Sequence, residues 1–290
     1  MTDLAKSSGT LRRVYGALLL VPVVALIWFD QMAAGVIFVC LGCLMGLEVK
    51  RITGLPFFAG LMVLALITVQ SAPHWMFGLS LTMNVGLTLL VAGLIAAFIV
   101  GVFRNRLAGL FVGLLCLCLA SGGLLLSQPS GHIMLVALAA IIAACDSAAY
   151  FVGRRLGGPK LWPRVSPNKT ISGSIGGLVA AMAVTALVAS TFGIDDLTDA
   201  LIMGLLIGGL SQAGDLMESA VKRQLDVKDS GSILPGHGGL LDRFDGYIFV
   251  IPAVYLYIFG FEYGWRKTNH GFGGNRINWS KQPCLGASAP

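Results

Sequence analysis

The sequence predicts an all-α polytopic membrane protein of about nine transmembrane helices with no separate soluble domain. Three observations carry that prediction. Hydrophobic residues fill 56% of the 290 positions and the mean hydropathy is +0.82, more than a soluble core of this size requires. The apolar residues come in runs long enough to cross the hydrocarbon layer, which takes about 20 helical residues. The basic residues follow alternate runs, as in a chain threaded back and forth through a bilayer.

The runs lie at roughly 13–29, 31–49, 55–71, 82–102, 107–126, 132–153, 171–192, 200–223 and 243–263. The first follows Lys6, Arg12 and Arg13 and has no small-residue cleavage site, so it reads as a retained helix rather than a removable leader. Asp30-Gln31 divides it from the second, which ends at Lys50-Arg51. The third gives way to the uncharged stretch 71–81, and the fourth ends at Arg104 and Arg106. After the fifth comes another uncharged loop, 127–131. The sixth runs into Arg154, Arg155, Lys160, Arg164 and Lys169, and the seventh ends before Asp195, Asp196 and Asp199. Lys222, Arg223, Lys228 and Arg243 lie between the eighth and the ninth. All 16 Lys and Arg residues before position 264 thus share one face, which the positive-inside rule makes cytoplasmic, the N-terminus with it. That placement expects an inner-membrane protein, and it accounts for the net charge of +6 without nucleic acid as a partner.

Three regions follow: N-terminal architectural helices over 1–130, a transmembrane region with cytoplasmic loops and the candidate site over 131–263, and a polar, Gly-rich tail over 264–290 that is expected to be disordered. Cys40, Cys116, Cys118 and Cys145 lie inside apolar runs, where a thiol acts as a small hydrophobe, so the six cysteines are not a disulfide framework. Gly42/Gly46, Gly109/Gly113 and Gly204/Gly208 are small-xxx-small pairs that let helices approach closely.

One stretch breaks the apolar pattern. Asp215 to Asp245 holds 10 of the chain's 34 charged residues in both signs, and charge at membrane depth is costly enough to mark function. Asp215, Glu218, Ser219 and Lys222 fall at i, i+3, i+4 and i+7, one face of a helix. A Pro235-Gly236-His237-Gly238-Gly239 connection follows, then Asp242 and Asp245 at i, i+3 on the next helix. Carboxylates from two helices can so converge beside a Gly-lined loop and several cations, a way to hold a divalent metal with an anionic substrate. His237, between glycines, suits a metal ligand, a phosphate donor or a brace for the loop. Asp146, in Cys145-Asp146-Ser147, lies at the depth of Asp215. Ser166-Pro167-Asn168-Lys169-Thr170 leads into the seventh run, where Thr170 or Ser172 can cap the helix and free N–H groups beside Lys169 suit a phosphate. Acidic and basic groups together suggest metal-bridged phosphate chemistry, in which charge neutralisation and in-line positioning supply most of the rate.

The stretch from Ser219-Ala-Val-Lys222-Arg223 through Lys228-Asp229-Ser-Gly-Ser-Ile-Leu-Pro235-Gly236-His237-Gly238-Gly239 to Asp242-Arg243-Phe-Asp245 resembles the signature of the phosphatidate cytidylyltransferases (CDP-diacylglycerol synthases). Cys145-Asp146-Ser-Ala-Ala-Tyr150-Phe, Ser166-Pro-Asn-Lys169-Thr170 and Gly214-Asp215-x2-Glu218-Ser219 are also similar to that family's pattern. The resemblance is strong over 140–250 and only architectural over the first 130 residues. It implies a Mg²⁺-dependent reaction of CTP with phosphatidate that yields CDP-diacylglycerol and pyrophosphate on the cytoplasmic side, a possible second cation, and a homodimer. By matching position, Asp215 and Asp242 would be the metal ligands, and Lys222, Arg223, Lys228 and Arg243 would neutralise phosphates. Lys169 and Ser166 would bind nucleotide or lipid phosphate. Asp229, His237 and Asp245 complete the candidate catalytic set. Asp146, Asn168, Thr170, Ser219, Gly238 and Gly239 complete the substrate-binding set. Two other readings share the residues: a CTP-dependent kinase of a polyprenol- or phytol-type lipid, and a cation-coupled transporter using Asp146, Asp215 and Asp242 as an ion path.

Overall fold

The computed structural model describes residues 22, 24–54, 102, 105–126, 130–191, 196–227, 229–231 and 239–257. They form α1 (Gln31–Thr53), α2 (Arg106–Leu126), α3 (Gly131–Leu156), β1 (Lys160–Trp162), β2 (Ser166–Thr170), α4 (Ile171–Thr191), α5 (Leu197–Gln224), α6 (Leu241–Phe244) and α7 (Tyr247–Leu256). Five helices, α1 to α5, are long and apolar enough to cross a membrane. They match the expected spans at 31–49, 107–126, 132–153, 171–192 and 200–223 to within a few residues. The span expected at 55–71 and most of those at 13–29 and 82–102 lie outside the described residues, as do 258–263 of the last span and the tail 264–290.

The chain is mostly helical, as expected, and two details add to that class. The first is a short hairpin: β1 and β2 pair antiparallel, with Lys160 opposite Thr170 and Trp162 opposite Ser166. Pro159, Pro163 and Pro167 keep this stretch from being helical. Gly157 and Gly158, at φ +61° and +99°, turn the chain off the end of α3. The second is the span at 243–263, which starts two residues earlier and pauses at Asp245-Gly246. There the backbone stays right-handed (φ −57° and −62°), so α6 and α7 follow one helical path.

Packing sets the site. α3, α4 and α5 make the broadest contacts, and they do so through small residues. A Cβ on Gly173 of α4 would stand 3.1 Å from Gly153 Cα of α3. The Gly204/Gly208 pair meets its expectation: a Cβ on Gly204 would lie 2.6 Å from Met182 Cα. Asp196 caps α5 by accepting from the Thr198 and Asp199 N–H groups at 2.9 and 3.2 Å. On the other side, Met45 and Val49 of α1, Phe111 and Leu115 of α2, Val221 of α5 and Leu241 of α6 share one apolar cluster. α1 is thereby packed against the two helices that carry Lys222 and Asp242.

Candidate active site

The register read from the sequence holds along α5. Ser219 Oγ donates to Asp215 Oδ1 at 3.4 Å, and Lys222 Nζ donates to Glu218 Oε2 at 3.1 Å, two i, i+4 contacts on neighbouring rows of one face. Each row reaches a different element. Asp215 pairs with Lys169 at the end of β2, each side chain about 30% exposed. Thr170 is the cap of α4, its Oγ1 accepting from the Gly173 N–H at 3.1 Å. Ser172 instead donates to the Gly157 carbonyl. The Ile171 N–H is also taken, by the Pro159 carbonyl at 3.0 Å, so part of the helix start that sequence offers to a phosphate is already bonded. Asp146 of α3 is within electrostatic reach of both Asp215 and Lys169. Ser166 is half-buried and Asn168 exposed on the same hairpin.

The second row reaches Asp242. Lys222 Nζ donates to Asp242 Oδ1 at 2.7 Å, so this ammonium bridges Glu218 and Asp242. Asp242 also accepts from the Ser230 N–H at 3.1 Å and the Gly239 N–H at 2.8 Å, through Oδ2. Three donors make Asp242 a closing point for the chain around it as well as a candidate ligand.

Asp245 joins the rows, because it senses the charges of Asp215 and Glu218. Its place is fixed by two small residues of α5. A Cβ on Gly214 would overlap the Asp245 carbonyl oxygen, and a Cβ on Gly246 would stand 2.7 Å from Ser211 Oγ. The result is a polar chain of five carboxylates, Asp146, Asp215, Asp245, Glu218 and Asp242, with two ammonium groups, Lys169 and Lys222. Glu218 is 2% exposed, and its carboxyl lies within hydrogen-bond reach of the Asp245 side chain.

Asp215 and Asp242, expected to grip one cation, thus each hold a different lysine. Among the described residues no three His, Cys, Asp or Glu side chains are grouped to hold a metal ion by themselves. Lys222, expected to face phosphate, is committed to two carboxylates. Arg223, Asp229 and Arg243 are exposed. Gly239 supplies its N–H to Asp242. Lys228, His237 and Gly238 lie outside the described residues.

The sequence reading missed Glu48. It lies in α1, is 2% exposed, and accepts from the Leu240 and Leu241 N–H groups, each at 2.8 Å, and from Ser230 Oγ at 3.3 Å. A signal was present: Glu48 is the acidic residue within the run 31–49, with only Val49 between it and Lys50-Arg51. Those two were read as topology charges and their acidic neighbour passed over.

The sequence model of the cytidylyltransferase family matches residues 10–261. The phosphatidate cytidylyltransferase of Brucella suis biovar 1 is 53% identical over 133 residues, 46% of this chain and 48% of that protein. That of Bacillus subtilis is 49% identical over 117 residues, 40% of this chain and 44% of that protein. That of Staphylococcus aureus is 46% identical over 117 residues, 39% and 44% respectively. The chain spans about half the length of the curated relatives it matches. With a match over most of its length and the polar chain where the signature residues meet, the protein belongs to the cytidylyltransferase family.

Proposed function

We propose that this chain converts CTP and phosphatidate into CDP-diacylglycerol and pyrophosphate at the cytoplasmic face of the inner membrane. One observation carries the reading beyond family membership. Lys169–Asp215 and Glu218–Lys222–Asp242 are joined through Asp245 between helices apolar enough to span a bilayer. That is a polar site at the edge of an apolar medium, as needed where a soluble nucleotide meets a lipid. The partition of basic residues supports the cytoplasmic orientation. The names of the relatives support the substrates. A homodimer rests on the resemblance.

The donor set fits Mg²⁺. Carboxylates of α5 and α6 stand at the edge of the apolar helices, hard oxygen donors of the kind Mg²⁺ takes. Mg²⁺ is commonly held by one or two carboxylates with substrate phosphates and water rather than by a full protein cage. Asp215 and Asp242 would hold it, as the resemblance to the family implies. When bound, the ion screens the repulsion between the lipid phosphate and the triphosphate.

In the reaction an oxygen of the phosphatidate phosphate forms a bond to the α-phosphorus of CTP. The bond from that phosphorus to the α–β bridging oxygen breaks, and pyrophosphate leaves with the electron pair. A phosphate monoester is largely ionised near pH 7, its second pKa being about 6, so no strong base is needed. Lys169 is released from Asp215 to meet phosphate, while Lys222 fixes Glu218 and Asp242. The test is product analysis with CTP labelled in the base. Label in CDP-diacylglycerol and release of pyrophosphate support the proposal. Release of CDP with a phosphorylated lipid alcohol shows a CTP-dependent lipid kinase instead.

A further inference from the structure

Glu48 belongs to no part of the signature stretch, yet it is among the most buried side chains of the protein. Its two oxygens are spent on the chain near the site. Oε1 takes the Leu240 N–H, and Oε2 takes the Leu241 N–H and the Ser230 hydroxyl. Asp242 takes the N–H groups of Ser230 and Gly239. Residues 230 and 239, nine apart in sequence, are thus drawn together by one carboxylate from α1 and one from α6. Two glycines make the room. A Cβ on Gly239 would stand 2.9 Å from Glu48 Oε2, and one on Gly231 would overlap the same carboxylate.

We propose that Glu48 is a positioning residue for the reaction: it ties Ser230 to Leu240-Leu241 and so sets Asp242, and through Lys222 sets Glu218. The idea rests on the cytidylyl-transfer reading above. The contacts themselves stand apart from it. Glu48 reaches the substrates only through Asp242, so its loss moves the ligands rather than removing one. Leu240 and Leu241 are buried, and their N–H groups have no water to turn to when the carboxylate is gone. Met45 and Val49 pack α1 on α2 and α5 through apolar contacts that do not involve the Glu48 carboxylate.

The experiment uses the full chain in detergent with CTP, phosphatidate and Mg²⁺, comparing wild type with Glu48→Gln and Ser230→Ala. Steady-state rates are read beside hydrogen exchange at the Leu240 and Leu241 amides. In Glu48→Gln an amide NH₂ faces one of the backbone donors, so exchange there accelerates. A displacement near 1 Å lowers kcat roughly 100-fold, with KM for both substrates changing far less. Ser230→Ala removes one of the three bonds and gives a smaller loss of kcat with the fold kept, so it decides the matter should Glu48→Gln fail to fold. Faster exchange with unchanged kcat overturns the positioning role and leaves only a brace. Unchanged exchange overturns the tie itself. A wild-type chain that makes no CDP-diacylglycerol sinks the functional reading and the positioning role with it, and the exchange data then decide the tie alone.

Discussion

Gly214→Ala tests how finely the polar chain is placed. Gly214 precedes Asp215 on α5, and a Cβ there would overlap the Asp245 carbonyl oxygen, stand 3.2 Å from the Asp245 carbonyl carbon and 3.5 Å from Gly246 Cα. All three neighbours are backbone, so no side-chain rotation relieves the overlap. Restoring an ordinary contact moves the α6–α7 junction away from α5 by about 1 Å. Overpacking of this kind costs about 1–3 kcal/mol. Alanine's better helix propensity returns about 0.5–1 kcal/mol of that. The larger effect falls on chemistry. Asp245 and Asp242 move relative to Asp215 and Glu218, and a 1 Å misplacement of reacting groups is worth roughly 100-fold in rate. The assay is turnover of labelled CTP with phosphatidate, beside a thermal midpoint in detergent. Gly209→Ala is the control, because a Cβ at that position of the same helix meets nothing within 4 Å. It should keep full activity and gain a little stability. Should Gly214→Ala behave like Gly209→Ala in both readouts, the close approach of α5 to Asp245 is not what holds the carboxylates in register.

The other predictions follow from the ion pairs. Asp215→Asn abolishes turnover while the protein still inserts in the membrane; residual activity near wild type would remove Asp215 from the metal assignment. Lys169→Ala raises KM for CTP or phosphatidate but costs less than about 1 kcal/mol of stability, because the Lys169–Asp215 pair is about 30% exposed; unchanged kinetics would count against a phosphate role. Lys222→Met leaves Glu218 and Asp242 facing each other without a counter-charge, and breaking such a buried pair costs about 3 kcal/mol, read as a lower thermal midpoint.

The membrane class and the α5 face were legible because both rest on local rules. Apolar run length set the helices, and 3.6-residue spacing put Asp215, Glu218, Ser219 and Lys222 on one side. Thr170 as the cap of α4 and Gly204/Gly208 as a close-packing pair were legible for the same reason. The hairpin was not, because three prolines read as a loop until pairing partners are known. What each charge faces was also hidden. Spacing showed that carboxylates from two helices could meet, but not that Lys169 and Lys222 stand on Asp215 and Asp242. Glu48 was hidden most deeply. Its partners Ser230 and Leu241 lie 182 and 193 residues away, and no periodic pattern links α1 to that turn.

The central claim is cytidylyl transfer at this polar chain, and base-labelled CTP incubated with phosphatidate and Mg²⁺ tests it most directly. Wild-type protein should place the label in the lipid fraction with one pyrophosphate released per label, and Asp215→Asn should do neither. Release of CDP in place of pyrophosphate, or equal labelling of lipid by Asp215→Asn, would contradict it.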